Sequence, residues 1–77
     1  MKIKIIYYNK NLYKENIISI IAPGLYGYFQ ILENHDYFIS ILKNGIIKFY
    51  SEVDNQKKIK IKGGILQVKN NFIIILL

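Results

Sequence analysis

Alternation of isoleucine and lysine is the feature that most limits the folds open to this chain. Residues 2–5 read Lys-Ile-Lys-Ile, and residues 58–62 read Lys-Ile-Lys-Ile-Lys. Because successive side chains of a β-strand point to opposite faces, a period of two places isoleucine on one face and lysine on the other. Residues 66–69 alternate in the same way. The pattern predicts strands with one buried face.

Polar and glycine-containing segments separate these stretches at a spacing of roughly eight to twelve residues, as in small β-proteins. Asn44-Gly45 is the strongest turn signal, because a two-residue type I′ turn needs positive φ at both central positions. Gly63-Gly64 precedes a strand-like run, which predicts a bulge or turn where two backbones approach closely. The other candidate turns are Asn9-Lys10-Asn11, Pro23-Gly24, Glu33-Asn34-His35-Asp36, Asp54-Asn55-Gln56 and Asn70-Asn71.

Some stretches do not alternate cleanly. Residues 17–22, interrupted only by Ser19, and Ile46-Ile47 are more continuously apolar, which suits a strand covered on both sides or a strand that meets another subunit. Residues 11–22 partly fit a helical period of 3.6, but their isoleucines and tyrosines lack a good helix cap and favour a pair of strands. The chain is therefore predicted to be all-β, as a sandwich or barrel of short strands.

The length of 77 residues allows one domain, residues 1–77, with a small core. A domain of this size buries only about 60% of the surface that its unfolded chain exposes. Hydrophobic residues make up 52% of the chain, and there is no cysteine to form a stabilising disulfide. Some apolar surface must therefore remain outside the core, which predicts a partner interface.

The formal net charge of +6 is compatible with a nucleic-acid partner. Seven tyrosines and eleven lysines could form a stacking platform for single-stranded nucleic acid on a small basic β-barrel. All the basic residues are lysine, however, whereas arginine makes the best bidentate contacts with phosphate and guanine. Nucleic-acid binding is therefore kept as an alternative function.

No set of residues suited to catalysis or metal binding stands out. His35 lies between Glu33 and Asp36 and is the single histidine, whereas zinc sites usually combine three or four His, Cys or carboxylate ligands. The serines lie in no nucleophile motif, and the adjacent Gly63-Gly64 lacks the spacing of a phosphate-binding loop. The chain is expected to be non-catalytic and to hold no cofactor or metal ion.

A membrane-spanning segment is not expected either. The longest apolar run, residues 72–77, is far shorter than the roughly 18 residues that mark a transmembrane helix. The first ten residues are too short and too polar for a secretory signal. The expected location is the cytoplasm, with contact to a membrane only through a partner.

Two segments, residues 27–45 (GYFQILENHDYFISILKNG) and residues 61–68 (IKGGILQV), resemble the N-terminal domain of the epsilon subunit of F-type ATP synthase. That family commonly reads G-x-φ-G-φ-φ-P-x-H-x-P and later φ-φ-x-G-G-φ-φ-E-V, where φ is an apolar residue. His35 and Gly63-Gly64 stand at matching positions, whereas Gln30 replaces a family glycine.

The resemblance implies a flattened β-sandwich of about ten short, mainly antiparallel strands. It also implies a rotor subunit in the central stalk of a proton-translocating ATP synthase, which links the gamma subunit to the c-ring and couples proton flow to ATP synthesis. Such a subunit lies on the cytoplasmic side of the membrane, held there by its partners. Many family members continue into an inhibitory C-terminal helical hairpin, which is expected to be absent because the sequence ends after one more apolar strand.

The loop that faces the c-ring in the family matches Tyr26, Gly27 and Tyr28. Tyr28 stands where the family often has an acidic residue. The resemblance therefore implies that an aromatic contact replaces a salt bridge to a basic residue of the c-ring.

The gamma-facing side of the family domain matches Tyr7, His35 and Ser40. No proton transfer is implied there, so His35 need only pack or donate a hydrogen bond. Gly45 and Gly63-Gly64 are expected to be structural turn residues.

Overall fold

The computed structural model describes residues 1–8, 10–52 and 56–77, which form an all-β fold. These ranges contain no helix and nine strands, where about ten were expected. Two of the expected turns, at residues 9–11 and 54–56, fall partly outside the described residues. The strands are β1 (Lys2–Tyr7), β2 (Lys10–Lys14), β3 (Ile17–Gly24), β4 (Gly27–Leu32), β5 (Phe38–Leu42), β6 (Gly45–Ser51), β7 (Lys57–Ile61), β8 (Gly64–Lys69) and β9 (Phe72–Leu76).

One continuous sheet folds back on itself. Its strand order is β2-β1-β9-β8-β5-β3-β6-β7, and β4 pairs with β3 beside this path. The sheet bends where β5 meets β3, because only Gly24 and Leu42 are paired between these strands. The bend divides the sheet into a five-stranded half, β2-β1-β9-β8-β5, and a four-stranded half, β4-β3-β6-β7. All pairings are antiparallel except that of β1 with β9.

The two halves enclose a single hydrophobic core, so the bent sheet is a flattened sandwich. The alternating segments bury the residues that the period of two predicts, including Ile3 and Ile5 in β1 and Leu66 and Val68 in β8. The intervening lysines stay at least partly exposed. The core residues are Met1, Ile3, Ile5, Ile17, Ile20, Ala22, Ile31, Leu42, Ile47, Phe49, Ile61, Leu66, Val68, Ile73 and Ile75.

Residues 11–22 form strands, as predicted, and not a helix. The two strands in this stretch are not paired with each other, however. β2 pairs with β1 in the five-stranded half, whereas β3 pairs with β4 and β6 in the other half. The short connection between them therefore passes from one half of the sandwich to the other.

The predicted type I′ turn at Asn44-Gly45 is wrong. The strands on either side, β5 and β6, are not paired with each other, and neither residue has positive φ. A Cβ on Gly45 would lie 2.7 Å from the Tyr28 hydroxyl oxygen and 2.8 Å from Pro23 Cβ. Gly45 is therefore required for close packing of β6 against the β3–β4 hairpin rather than for a turn.

The two-residue turn with positive φ lies instead at Asn70-Asn71, which was also predicted as a turn. Their φ angles are 52° and 60°, and they join the paired strands β8 and β9. Both angles belong to the left-handed region that asparagine tolerates better than most residues.

The close backbone approach predicted at Gly63-Gly64 is confirmed. Both residues have positive φ, and they connect β7 in one half to β8 in the other. A Cβ on Gly64 would collide with the carbonyl oxygen of Leu76 and lie 2.9 Å from Leu77 Cδ2. Glycine is needed here because β8 and the end of β9 leave no room for a side chain.

The turn predicted at Pro23-Gly24 lies two residues further along the chain. Pro23 and Gly24 are the last residues of β3, and the hairpin turns at Leu25 and Tyr26. Proline is tolerated because the pairing of β3 with β6 has ended by Ile21, so its missing N–H removes no hydrogen bond to that strand.

Candidate interaction surfaces

The β3–β4 hairpin carries the three residues expected to face the c-ring. Tyr26 lies at its tip and is fully exposed, and the neighbouring Leu25 is half exposed. Gly27 closes the turn with a φ of 130°, which a residue with a side chain rarely adopts. The hairpin therefore presents an apolar tip without a charged residue.

Tyr28 has a structural contact that the sequence did not suggest. It pairs with Pro23, and its hydroxyl oxygen accepts a hydrogen bond of 3.1 Å from the backbone N–H of Ile46. The same oxygen occupies the space above Gly45. The side chain is still 57% exposed, so Tyr28 both ties the hairpin to β6 and presents one ring face to solvent.

His35 lies in the loop between β4 and β5. Its Nδ1 is 2.8 Å from the carbonyl oxygen of Asp36, so this nitrogen carries the proton and donates it. The imidazole meets the ring of Phe38 edge-on, with 5.5 Å between ring centroids. The backbone N–H of Asn34 donates to Oδ1 of Asn71 at 2.9 Å, which joins the loop to the β8–β9 turn. His35 thus packs and hydrogen-bonds within the loop.

Ser40 does not lie on the outer surface of β5. It pairs with the buried Leu66, and its hydroxyl donates to the carbonyl oxygen of Ile41 at 3.2 Å. The exposed side chains of β5 are its neighbours Ile39 and Ile41. Alternation turns Ser40 toward the core side, where it is half-buried. Its contact with gamma stays a prediction.

Tyr7 lies at the end of β1, where its ring contacts Tyr8 with 4.5 Å between centroids. Electrostatic repulsion from the neighbouring Tyr8 phenol is the main cause that raises the pKa of Tyr7 above its ordinary value. Tyr7 also lines a groove of about 450 Å³ between β2 and β7, with Leu12 and Ile59 among its walls. This groove opens along the edge of the sandwich.

The structure keeps the expected c-ring residues together but separates the expected gamma-facing residues. Tyr26, Gly27 and Tyr28 share one hairpin. Ser40 lies on β5, whereas Tyr7 lies on β1, three strands away in the sheet. At the usual strand spacing this is about 14 Å.

The outer side of the five-stranded half carries an apolar surface that the residue-by-residue expectations missed. Cross-strand pairing places Ile41 beside Ile65, Ile65 beside Leu76, and Leu76 beside Ile6. This row crosses four strands, and Ile39, Ile41, Ile65 and Leu76 are 44–56% exposed. The apolar face, as we call it, consists of Ile6, Ile39, Ile41, Ile65, Ile74 and Leu76.

A signal for the apolar face was present in the sequence. Residues 38–42 and 72–76 are apolar at nearly every position, so alternation leaves apolar side chains on the outer face as well as the inner one. Which strands lie side by side, and hence whether these side chains form one surface, could not be read from the pattern.

The outer side of the four-stranded half is basic by contrast. Lys48 is paired directly with Lys58, and Lys60 follows on the same face of β7. Within the described ranges, no ion pair neutralises these three side chains. We call this surface, Lys48, Lys58 and Lys60, the lysine face.

In the described part of the chain, no group of three or more His, Asp or Glu side chains is placed to hold a metal ion. The same residues include no helix long and apolar enough to cross a bilayer.

A family model matches the whole chain. Residues 1–77 match the model described as the β-sandwich domain of the ATP synthase delta/epsilon chain. The match covers both halves of the sandwich, including the hairpin and the apolar face.

Curated relatives carry the same description. The ATP synthase epsilon chain of Leptospira interrogans (serovar copenhageni) is 36% identical over 76 residues, which cover 99% of this chain and 59% of that one. The ATP synthase epsilon chain of Chlorobium limicola is 32% identical over 75 residues, which cover 97% of this chain and 85% of that one. This chain thus spans little more than half the length of its Leptospira relative.

Solved structures share the fold at low sequence identity. A chain in the Euglena gracilis mitochondrial ATP synthase, in a structure of its OSCP, F1 and c-ring, superposes with a TM-score of 0.88 at 20% identity. The superposition covers 96% of this chain and 48% of that one. A chain in the central stalk and c-ring structure of Tetrahymena thermophila ATP synthase gives a TM-score of 0.81 at 16% identity, over 97% of this chain and 60% of that one.

Proposed function

This chain belongs to the family of ATP synthase delta/epsilon β-sandwich domains, and we propose that it acts as a rotor subunit in the central stalk of an F-type ATP synthase. In this proposal it links the gamma subunit to the c-ring and takes part in coupling proton flow to ATP synthesis. It contributes no catalytic step of its own. It lies peripheral to the membrane, on the cytoplasmic side, where these partners hold it.

The apolar face is the observation that carries the proposal. A row of isoleucine and leucine side chains, exposed on β5, β8 and β9 and half-buried on β1, crosses four neighbouring strands on one side of a 77-residue domain. Contiguous apolar surface of this kind marks a protein interface, because its exposure to water is unfavourable. We assign the gamma subunit to this face.

The tip of the β3–β4 hairpin supports a second proposed contact, with the c-ring. Tyr26 and Leu25 project from a turn that Tyr28 ties to β6, so the tip is held at a fixed angle to the sandwich. Aromatic and aliphatic anchors on a rigid element suit an interface that must transmit force. We assign the c-ring to this tip, in agreement with the resemblance of Tyr26, Gly27 and Tyr28 to the family's c-ring loop.

Co-expression with the gamma subunit of the same organism tests the proposal, with native mass spectrometry of the purified material as the readout. We expect a one-to-one complex. The variant Ile41→Lys/Ile65→Lys should weaken it by at least roughly 30-fold, because charges replace two central apolar contacts. The matched variant Lys58→Glu/Lys60→Glu, on the lysine face, should leave binding unchanged within about threefold.

A chain that stays monomeric beside gamma would overturn the proposed function. Equal loss of binding in the two variants would place the interface elsewhere on the domain.

Binding of single-stranded nucleic acid remains the second candidate. Among the described residues no ion pair neutralises the three cations of the lysine face, and Tyr28 and Tyr50 lie on the outer side of the same half. Titration with a labelled oligonucleotide at about 50 mM salt tests it, since phosphate contacts by lysine are strongest at low salt. Binding that is lost in Lys58→Glu/Lys60→Glu would support this alternative, and a flat titration would exclude it.

A further inference from the structure

The sandwich has two open sides, and they differ in how their edge strands are protected. On one side lie β2 with two lysines and β7 with three. On the other side lie β4 and β5, which contain no charged residue. Lysine on an edge strand prevents pairing with another chain, since its charge cannot be buried in a new sheet. The β4–β5 side lacks this protection.

The register shows which backbone groups of β4 are free. Pro23 pairs with Tyr28, and the Pro23 carbonyl accepts a hydrogen bond of 2.9 Å from the Lys43 N–H on the side of β3 away from β4. Pro23 and Tyr28 are therefore a non-hydrogen-bonded pair, and so is every second pair along the ladder. The N–H and C=O groups of Tyr28, Gln30 and Leu32 consequently point away from β3, toward the open edge.

No other part of the described chain uses these groups. β4 pairs with β3 alone, and no hydrogen bond outside the ladders involves the backbone of Tyr28, Gln30 or Leu32 in the described ranges. The edge thus offers three N–H and three C=O groups at the spacing of an antiparallel or parallel partner strand. On its outer face, exposed Tyr28 and Leu32 would flank an added strand.

The free edge of β4 is continuous with the apolar face around the β4–β5 side. The rings of Phe29 in β4 and Phe38 in β5 meet edge-on with 5.4 Å between centroids. The next outward residues of β5 are Ile39 and Ile41 of the apolar face. A partner seated on that face therefore reaches β4 without crossing a charged strand.

We infer that the partner covering the apolar face also adds an extended strand to the free edge of β4, bonded through the backbones of Tyr28, Gln30 and Leu32. The added strand is uncharged and alternates in polarity, because the edge that it meets offers backbone groups and apolar side chains but no cation. This inference rests on the proposed function, which supplies the gamma subunit as that partner.

Hydrogen exchange of the wild-type chain tests the inference without any substitution. Exchange of backbone amides is measured residue by residue, alone and in complex with the gamma subunit. Strand addition should slow the amides of Tyr28, Gln30 and Leu32 by at least roughly tenfold. The amide of Lys58 on the edge strand β7, which belongs to the lysine face and not to the apolar face, serves as the internal control and should exchange as before.

A pair of substitutions at one position gives a second test. Gln30→Pro removes an outward N–H that makes no bond to β3, whereas Gln30→Thr keeps it in a residue suited to strands. Gln30→Pro should weaken gamma binding by about tenfold or more, since a hydrogen bond is lost and the ring obstructs the added strand. Gln30→Thr should bind within about threefold of wild type.

The outcomes separate the inference from the proposed function. If wild type binds gamma but the three amides stay unprotected and Gln30→Pro binds normally, strand addition is wrong and the rotor role stands. If wild type does not bind gamma, both fall. Protection that appears without gamma and grows with protein concentration would identify a second copy of this chain as the occupant, which also overturns the inference.

Discussion

The two outer faces of the bent sheet are built from the same alternating pattern but have opposite character. In the five-stranded half, β5, β8 and β9 place isoleucine and leucine outside as well as inside, whereas in the four-stranded half β6 and β7 place lysine outside. Both halves share one core. The difference indicates that the apolar side chains of the outer face are not needed to enclose the interior, which leaves them available for the partner interface proposed above.

The sharpest test of this separation compares two neighbouring residues of β8. Leu66 is fully buried and Ile65 belongs to the apolar face. Leu66→Ala should lower the free energy of unfolding by about 2–5 kcal/mol, because it removes buried methyl groups and leaves a cavity. Ile65→Ala should change it by less than about 0.5 kcal/mol. Urea denaturation of the isolated chain measures both, and equal losses would mean that the apolar face is part of the core.

A substitution at Gly45 tests the packing of the four-stranded half, with a smaller expected loss in the free energy of unfolding. Gly45→Ala should lower the free energy of unfolding by about 1–3 kcal/mol, because the added methyl group overlaps the Tyr28 hydroxyl and Pro23. Gly27, where a Cβ meets no atom, provides a contrast in which backbone strain acts without crowding. Thermal denaturation of Gly45→Ala alone and combined with Tyr28→Phe should show part of the loss relieved. Additive losses would contradict crowding by the hydroxyl.

Tyr28→Phe isolates the hydrogen bond between the hairpin and β6. It removes the acceptor of the Ile46 N–H and should lower the free energy of unfolding by about 0.5–1.5 kcal/mol. Tyr26→Phe at the fully exposed tip is the matched control and should leave stability unchanged. If both variants unfold at the same urea concentration as wild type, Tyr28 does not tie the hairpin to the sheet.

The smallest effect is expected on the lysine face. Lys58→Glu replaces a like-charged cross-strand pair with an attractive one and should stabilise the chain by about 0.2–1 kcal/mol. The gain should shrink as salt is raised to about 1 M, because exposed charges are then screened. Lys10→Glu in β2, opposite Tyr7, changes the net charge equally and serves as the control. A gain of the same size in the control would indicate a net-charge effect in place of the pair.

Much of the local structure followed from side-chain type. The alternation of residues 2–5 and 66–69 correctly identified Ile3, Ile5, Leu66 and Val68 as buried, because a strand has only two faces and one must meet the core. Asn70-Asn71 was correctly read as a turn. The family, too, was visible in the spacing of short motifs and is confirmed by the match over residues 1–77.

The failed prediction of a type I′ turn has a physical cause. Asn44-Gly45 has the local preference for a hairpin turn, but β5 and β6 both pair with β3 and not with each other, so no tight turn is required there. Here long-range pairing overrode a local signal, as tertiary contacts commonly do in sheets. Ser40 stays a predicted gamma contact, and its half-buried place on the inner face of β5 could not be derived from the motif match.

The amino-acid sequence by itself determined that this chain forms a small all-β domain with more apolar surface than it can bury, because alternation and composition are local properties. Only the tertiary structure decided where that surplus lies. The row from Ile41 to Ile6 exists because β5, β8, β9 and β1 are neighbours, and the parallel pairing of β1 with β9 joins segments from the two ends of the chain. Strand order depends on the free energy of the whole sandwich, which no short segment encodes.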